Sequence, residues 1–111
     1  MKKRIGGCDL NELRRRVRNS NFFESKHLLK DRADRQLTVD MIIEAVGYDN
    51  PKICEDYPND SPWPSCLILG WLNNGTPLHV VIAYNQNETK IVTAYANPDK
   101  NIWYDDLCTR R

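Results

Sequence analysis

Two imidazole side chains are the groups in this sequence best suited to acid–base chemistry. His79 lies in the most apolar run of the chain, and the other histidine, His27, lies 52 residues earlier in a basic, polar segment. Histidine has a reference pKa of about 6.5, so it both accepts and releases protons near neutral pH. If the fold brings both rings to one cleft, they form an acid–base pair. In the alternative, His79 is a core histidine bonded to a backbone carbonyl.

Thr93 and Tyr95 are two further candidates, because they share one face of a predicted strand. The register of the preceding hairpin decides whether this is also the face of His79. If the loop 85–88 holds four residues, His79 lies opposite Ala94, and both side chains point away from its ring. A loop of three or five residues shifts the register by one and places them beside the imidazole.

The proline-rich loop 58–64 supplies Asp60 and Trp63 as candidate substrate-binding residues. Its three prolines exclude a regular ladder of hydrogen bonds. We expect a ligand rim at this loop, with Trp63 stacked on a base. The alternative is a tryptophan that only covers the core.

Three helices are predicted in the first half of the chain. Asp9, Ser25 and Thr38 are residue types that favour the N-cap position, and an apolar stripe of helical period follows the first and third of them. The third helix is predicted to run to Val46 and to end at Gly47.

The second predicted helix, 26–35, has an apolar side and a polar side. Its apolar side is formed by Leu29, Ala33 and Leu37. Asp31 follows His27 by one turn, so it can hold the histidine ring and also form an ion pair with Arg35. The full polar set is His27, Asp31 and Asp34, flanked by Lys30 and Arg35.

The second half of the chain changes to the two-residue period of β-strands. Short turns join three of the four predicted strands, which is typical of an antiparallel meander. The fold class is therefore α+β, with N-terminal helices packed on a four-stranded antiparallel sheet. Trp103, Tyr104 and Leu107 are expected to pack back onto the domain. The predicted strands are 52–57, 65–72, 77–84 and 89–95.

The charges are unevenly divided along the chain, although their sum is only +1. Residues 1–37 carry 11 Lys and Arg against 5 Asp and Glu, whereas residues 38–111 carry 5 against 10. The basic part is suited to contact phosphates or an acidic partner protein. Solvated arginine-rich helices would give the same composition.

The length, the lack of a long apolar run and the cysteine pattern indicate a small single-domain protein with free thiols. A chain of 111 residues forms one domain, which we place at 22–111, with 1–21 as a basic N-terminal helix or extension. No apolar run is long enough to cross a membrane, and no signal region follows the basic residues 1–7, so a cytoplasmic location is expected. The four cysteines form no Cys-x-x-Cys pair, so we expect free thiols and neither a metal nor another cofactor.

These residues resemble a known family, the bacterial and archaeal domain of unknown function numbered 4258. The resemblance covers about residues 22–107 and is most specific between Tyr57 and Tyr95. This family is distantly similar to the RelE- and BrnT-like toxins of toxin–antitoxin modules, which share helices followed by an antiparallel sheet and cut RNA without metal. The residues that carry the resemblance are 25–27, Arg32, Arg35, 57–60, 64–67, Gly70, 77–81, 93–95 and Trp103.

The resemblance implies a metal-independent endoribonuclease with an antitoxin protein as partner. An RNA 2′-hydroxyl would attack the adjacent phosphate, with His27 and His79 as acid and base. Arg35 or Arg32 would neutralise the phosphorane, and Thr93 and Tyr95 would bind phosphate or donate protons. The substrate-binding residues would be Arg32, Lys30, Asp60 and Trp63.

The chain departs from the RelE pattern, because its sheet strands hold only Lys52 and Lys90 and its other basic residues lie on the helices. The alternative is a non-catalytic interaction module whose basic helices bind a protein or a nucleic acid. No oligomeric state is predicted.

Overall fold

The structure is a computed structural model, and it describes residues 8–48 and 50–111. The basic residues 1–7, on which part of the expectation about export rested, lie outside the described residues. The helices are α1 (Leu10–Arg18), α2 (Lys26–Arg35) and α3 (Val39–Ile43), and the strands are β1 (Phe23–Glu24), β2 (Lys52–Tyr57), β3 (Ser65–Trp71), β4 (Pro77–Tyr84) and β5 (Thr89–Ala96).

All three predicted helix starts are confirmed. The side chains of Asp9, Ser25 and Thr38 each accept a hydrogen bond from the backbone N–H three residues later, at 2.9 to 3.2 Å. The predicted end of the third helix is wrong, because α3 continues as a π-helical turn, Glu44–Tyr48. Gly47 lies inside this turn, where a Cβ would meet the side chain of Arg18 on α1.

The sheet has five strands in the order β1-β5-β4-β3-β2. The predicted four-stranded antiparallel meander is therefore corrected to a five-stranded mixed sheet. The extra strand, β1, is two residues long and pairs in parallel with β5. Such a short strand shows no alternation, so periodicity cannot reveal it. The apolar strands β3 and β4 occupy central positions, as predicted.

The two faces of the sheet have different surroundings. We call the side that carries Ile68, Val80 and Ile82 the helix face, because these residues share one apolar core with Leu13 and Val17 of α1. We call the opposite side the cleft face. It carries Leu67 and Leu69 of β3, His79 and Val81 of β4, and Thr93 and Tyr95 of β5.

Helix α2 packs through a different stripe from the predicted one. Leu28 is fully buried, and Leu37 is buried as predicted, whereas Leu29 is 50% exposed and Ala33 is exposed. The helix runs beside β5, where the Ser25 hydroxyl donates to the Val92 carbonyl. A helix that covers a strand edge must present polar side chains to the backbone. The apolar period of α2 therefore did not identify its inner side.

The C-terminal segment 97–111 folds back onto the cleft face. A disulfide joins Cys54 of β2 to Cys108 of this segment, so the prediction of four free thiols is wrong. Cys8 and Cys66 are the free cysteines among the described residues. Trp103 is buried, as the prediction of a packed tail requires. No helix within the described ranges is long and apolar enough to span a bilayer.

Arg16 fastens the turn between β4 and β5 to α1. Its buried guanidinium donates to the carbonyl oxygens of Asn85, Gln86 and Glu88 and to the Thr89 hydroxyl, at 2.6 to 3.2 Å. This arginine therefore has a structural role, although the sequence places it in the most basic segment of the chain.

Candidate functional site

The cleft face contains an open cleft of about 580 Å³. Its floor includes Leu67 and Val81 at the centre of the sheet. Polar and ionisable side chains surround this apolar floor, which is the usual composition of a small-ligand or substrate site. The residues that line the cleft are Glu55, Asp56, Tyr57, Pro58, Asn59, Asp60, Ser65, Leu67, Val81, Tyr95 and Arg110.

A β-bulge brings the candidates of β5 to this face. The loop 85–88 has the four residues that would turn Thr93 and Tyr95 away, but one extra residue, Val92, interrupts the pairing of β5 with β4. His79 therefore lies opposite Tyr95. A bulge places two residues opposite one and so shifts the register by one. The loop therefore has four residues, but Thr93 and Tyr95 have the orientation expected for a loop of three or five residues.

His79 is fully buried and has a hydrogen-bond partner on each ring nitrogen. Its Nε2 lies 2.6 Å from the Leu107 carbonyl oxygen, and its Nδ1 lies 2.9 Å from the Tyr95 hydroxyl. A carbonyl only accepts, so Nε2 carries the proton, and in the neutral ring Nδ1 accepts from Tyr95. The Trp103 ring packs edge-on against the imidazole at 4.6 Å between centroids.

Burial shifts both members of this pair toward their neutral forms. Desolvation lowers the pKa of His79, assisted by the charge of Arg110, while the Leu107 carbonyl and Glu55 oppose the shift. Desolvation also raises the pKa of Tyr95. The phenol therefore keeps its proton near neutral pH and directs it at the imidazole.

An ion pair forms the opposite wall of the cleft. Arg110 Nε donates to Glu55 Oε2 at 2.6 Å, and the Tyr57 hydroxyl donates to Glu55 Oε1 at 2.5 Å. Burial favours a higher pKa for Glu55, but the hydrogen bonds from Arg110 and Tyr57 outweigh it and lower that pKa. Glu55 is therefore ionised and already matched by a cation.

Helix α2 adds a third group of side chains, which contact β5. His27 Nε2 lies 2.9 Å from Asp31 Oδ2, as predicted, and the His27 side chain is 68% exposed. The Thr93 hydroxyl donates to Asp31 Oδ2 at 3.2 Å and accepts from Arg35 Nη1 at 3.3 Å. The guanidinium carbon of Arg35 lies 5.8 Å from the centre of the Tyr95 ring.

The structure does not bring the two imidazoles into contact. His27 lies at the outer end of the α2 contacts, whereas His79 is enclosed between Tyr95, Trp103 and the Leu107 carbonyl. His79 is fully buried and both its ring nitrogens are bonded within the protein, so it does not itself contact a phosphate in the cleft. Of the groups bonded to either imidazole, Tyr95 reaches the cleft.

The remaining candidates are dispersed. Asp60 lines the cleft, and Trp63 lies in the loop beside it. Arg32 Nε donates to Glu24 Oε1 at 2.6 Å, so it joins α2 to β1. Lys30 is exposed on α2.

Sequence reasoning missed Glu55, Tyr57 and Arg110. Glu55 and Tyr57 alternate along β2, which signals a shared face and could have identified them. Arg110 carries no such signal, because the disulfide and the folding of the tail place it at the cleft.

Comparison with known proteins gives one match. A family model described as Domain of unknown function (DUF4258) matches residues 25–96. No curated protein and no solved structure matches the chain. The matched segment includes α2 and all five residues proposed above as catalytic: His27, Arg35, His79, Thr93 and Tyr95.

Proposed function

We propose that this chain, which belongs to the DUF4258 family, is an endoribonuclease that cleaves RNA by acid–base catalysis in the cleft. The single observation that carries the proposal is Tyr95, which lines the cleft and whose hydroxyl has a buried imidazole as its hydrogen-bond acceptor. By analogy with RelE- and BrnT-like toxins, we further propose that the enzyme belongs to a toxin–antitoxin module. The analogy concerns the fold alone.

In the proposed reaction, Tyr95 is the catalytic residue and His79 acts through it. The RNA 2′-oxygen attacks the adjacent phosphorus, and its proton passes to the Tyr95 oxygen. Tyr95 simultaneously transfers its own proton to His79 Nδ1. The bond to the 5′-oxygen breaks, and this oxygen takes a proton from water in the open cleft. The products are a 2′,3′-cyclic phosphate and a 5′-hydroxyl, and the imidazolium returns its proton through Tyr95 to the hydroxide that this water leaves in the cleft.

One cation is placed to stabilise charge on the phosphorane. Arg35 lies beside the Tyr95 ring, whereas Arg110 lines the cleft but is paired with Glu55. Arg35 also donates to the Ala94 carbonyl oxygen at 2.7 Å, which fixes its position before substrate arrives. Such preorganisation is what makes electrostatic stabilisation effective.

The alternative, binding through the basic helices, has less support because the arginines of α1 make internal contacts. Arg15 forms an ion pair with Glu12 at 2.6 Å, and Arg16 is buried at the β4–β5 turn. Arg18 donates to the Gly47 carbonyl oxygen at 3.0 Å. The guanidinium groups of Arg15, Arg16 and Arg18 are therefore engaged in contacts within the protein.

The test is cleavage of single-stranded RNA in the presence of a metal chelator, with the wild-type chain and Tyr95→Phe. Loss of the proton-transfer group should lower the rate by about 10²-fold or more. Tyr104→Phe, which alters an exposed tyrosine of the tail, is the matched control and should cleave at the wild-type rate. The wild-type products should end in a 2′,3′-cyclic phosphate.

Two results would overturn the proposal. One is a folded wild-type chain that leaves RNA intact, and the other is a Tyr95→Phe variant as active as Tyr104→Phe. Circular dichroism of each variant separates lost chemistry from lost structure.

A further inference from the structure

An aromatic and cationic cluster lies at one end of the cleft face. It consists of Phe23 from β1, Trp63 from the proline-rich loop and Lys90 from β5, and we call it the stacking cluster. The Phe23 and Trp63 rings meet edge to face at 6.1 Å between centroids. Lys90 Nζ lies 5.2 Å from the centre of the Trp63 ring and 6.0 Å from that of Phe23.

The cluster is accessible. Phe23 is 46% exposed, and Trp63 is half-buried. Among residues 8–48 and 50–111, no carboxylate lies within ion-pair distance of Lys90. Half-exposed aromatic rings beside a cation without an anionic partner can bind a flat π-system that carries a negative charge.

The cluster is continuous with the cleft through the sheet. Lys90 pairs with Phe23 on one side and with Ala83 on the other, and Ala83 pairs with Ser65, which lines the cleft. The five residue-to-residue steps from Lys90 to Tyr95 span roughly 16 Å at the usual strand rise. A ligand that contacts both the stacking cluster and Tyr95 must therefore be an extended chain.

The charge distribution agrees with a polyanion on this side of the cleft. The acidic residues that line the cleft, Glu55, Asp56 and Asp60, lie on β2 and in the proline-rich loop, whereas Lys90 and Arg35 lie on or beside β5. A chain of phosphates that follows β5 thus passes Lys90 and then Arg35, which also lies 3.6 Å from Asp31 Oδ2, and it stays away from the acidic wall.

We propose that the stacking cluster is a subsite for an unpaired base of single-stranded RNA, with Lys90 on a neighbouring phosphate. This inference rests on the proposed function and specifies that the RNA substrate is single-stranded. Stacking needs an exposed base face, which a duplex does not offer. Because the subsite is distant from Tyr95, it contributes binding to long substrates and no chemistry.

The experiment measures binding of a fluorescent single-stranded RNA 12-mer to the Tyr95→Phe protein, which binds without cleaving. Adding Phe23→Leu or Trp63→Leu retains apolar volume but removes a stacking ring, and each should weaken binding about tenfold. Lys90→Gln should lower the slope of log affinity against log salt by about 0.7. A duplex of the same sequence should bind more weakly than the single strand.

The matched control is Tyr104→Leu, which removes the aromatic ring of a second surface pair, Tyr104 with Arg111 at 4.7 Å. This change should leave affinity unaltered. Affinity within twofold of the parent for both Phe23→Leu and Trp63→Leu would overturn the inference, and so would equal binding of duplex and single strand. Phe23 is half exposed, so its variant should fold even if that of Trp63 does not.

Cleavage kinetics separate this inference from the proposed function. With the Tyr95-containing enzyme, Phe23→Leu should raise KM for the 12-mer about tenfold, leave kcat unchanged and leave cleavage of a dinucleotide unchanged. If nothing is cleaved, the proposed function fails. If both substrates are cleaved and Phe23→Leu affects neither, only the subsite fails.

Discussion

The helix face and the cleft face arise from alternate residues of the same strands, yet they are organised differently. On the helix face, apolar side chains such as Ile68 and Val80 pack under α1 and the π-helical turn, and they are fully buried. On the cleft face, a cleft lies over the centre of the sheet, while the C-terminal tail covers His79 and contacts β2 at Glu55 and Cys54. The helix face is covered through apolar packing, whereas the tail is held on the cleft face by a disulfide and polar contacts.

This difference shows that buried side chains are stabilised in two ways in one small domain. A buried leucine of the helix face is stabilised by the water it no longer meets. Buried His79 instead depends on two hydrogen-bond partners, and one of them, Leu107, belongs to the tail. The tail is therefore essential to the proposed site, although the cleft itself is formed mainly by the sheet.

The largest expected effect comes from removing the disulfide with Cys108→Ser. The bond links residues 54 positions apart, and loop closure of this length gives roughly 4 kcal/mol of stability. Urea unfolding should show this loss, and fluorescence should show Trp103 exposed to water. Cys8→Ser, outside the disulfide, is the control. Tryptophan emission unchanged from the wild type in Cys108→Ser, compared in a background that lacks Trp63 and Trp71, would show that the tail stays in place without the bond.

The helix face should respond to Gly70→Ala by losing about 3 kcal/mol. A Cβ at Gly70 would overlap the carbonyl group of Ala45 in the π-helical turn, and backbone cannot move aside as a side chain can. On the cleft face, Val81→Ala should cost less than about 1 kcal/mol, since Val81 lines an open cleft. Equal losses in urea unfolding would contradict the contrast between the faces.

An intermediate effect is expected for Arg16→Lys, about 2 kcal/mol, because a lysine cannot donate to three carbonyls and a hydroxyl together. The comparison variant is Arg15→Lys, whose exposed ion pair with Glu12 should contribute less than about 0.5 kcal/mol. Thermal unfolding of both variants measures the difference. Similar midpoints would show that the buried guanidinium contributes no more than the surface one.

The smallest effect concerns pH and acts on the cleft face. The pKa of His79 is lower in the folded chain than its ordinary value, so the unfolded chain binds the proton first as pH falls. Stability from the neutral ring is therefore complete above about pH 6.5 and is lost as pH falls through the folded pKa. Urea unfolding at pH 7.5 and pH 5 should show this decrease.

The control for the pH effect is His79→Gln, in which this part of the decrease should disappear. The charges that face the ring are Glu55 and Arg110, and both should remain ionised between pH 5 and pH 7.5, because their hydrogen bonds to each other lower the pKa of Glu55 and raise that of Arg110. A wild-type chain that gains stability on acidification more than the variant would reverse the predicted sign.

Features set by neighbouring residues were predictable from the sequence. The caps at Asp9, Ser25 and Thr38 depend on bonds to residues three positions away, and all three are confirmed. The central position of β3 and β4 follows from their two apolar faces. The hydrogen bond of His27 to Asp31 follows from helix spacing.

Features that depend on tertiary structure were not predictable. The inner side of α2 was misassigned because this helix presents polar side chains to the backbone of a strand edge. The pairing of Cys54 with Cys108 depends on where the C-terminal tail packs on the sheet. The site was predicted in part: Tyr95 and His79 do meet, but the bulge that joins them has no signature in residue types.

Because of the bulge at Val92, the length of the segment between the turn and Tyr95 decides what reaches the cleft in any homologous chain. A homologue that lacks one residue there would turn its tyrosine hydroxyl into the apolar core, even if every aligned side chain matched. Homologues are therefore best sorted by gaps in this segment before identities are counted. An alignment without a gap marks those that retain the same pairing of phenol and imidazole.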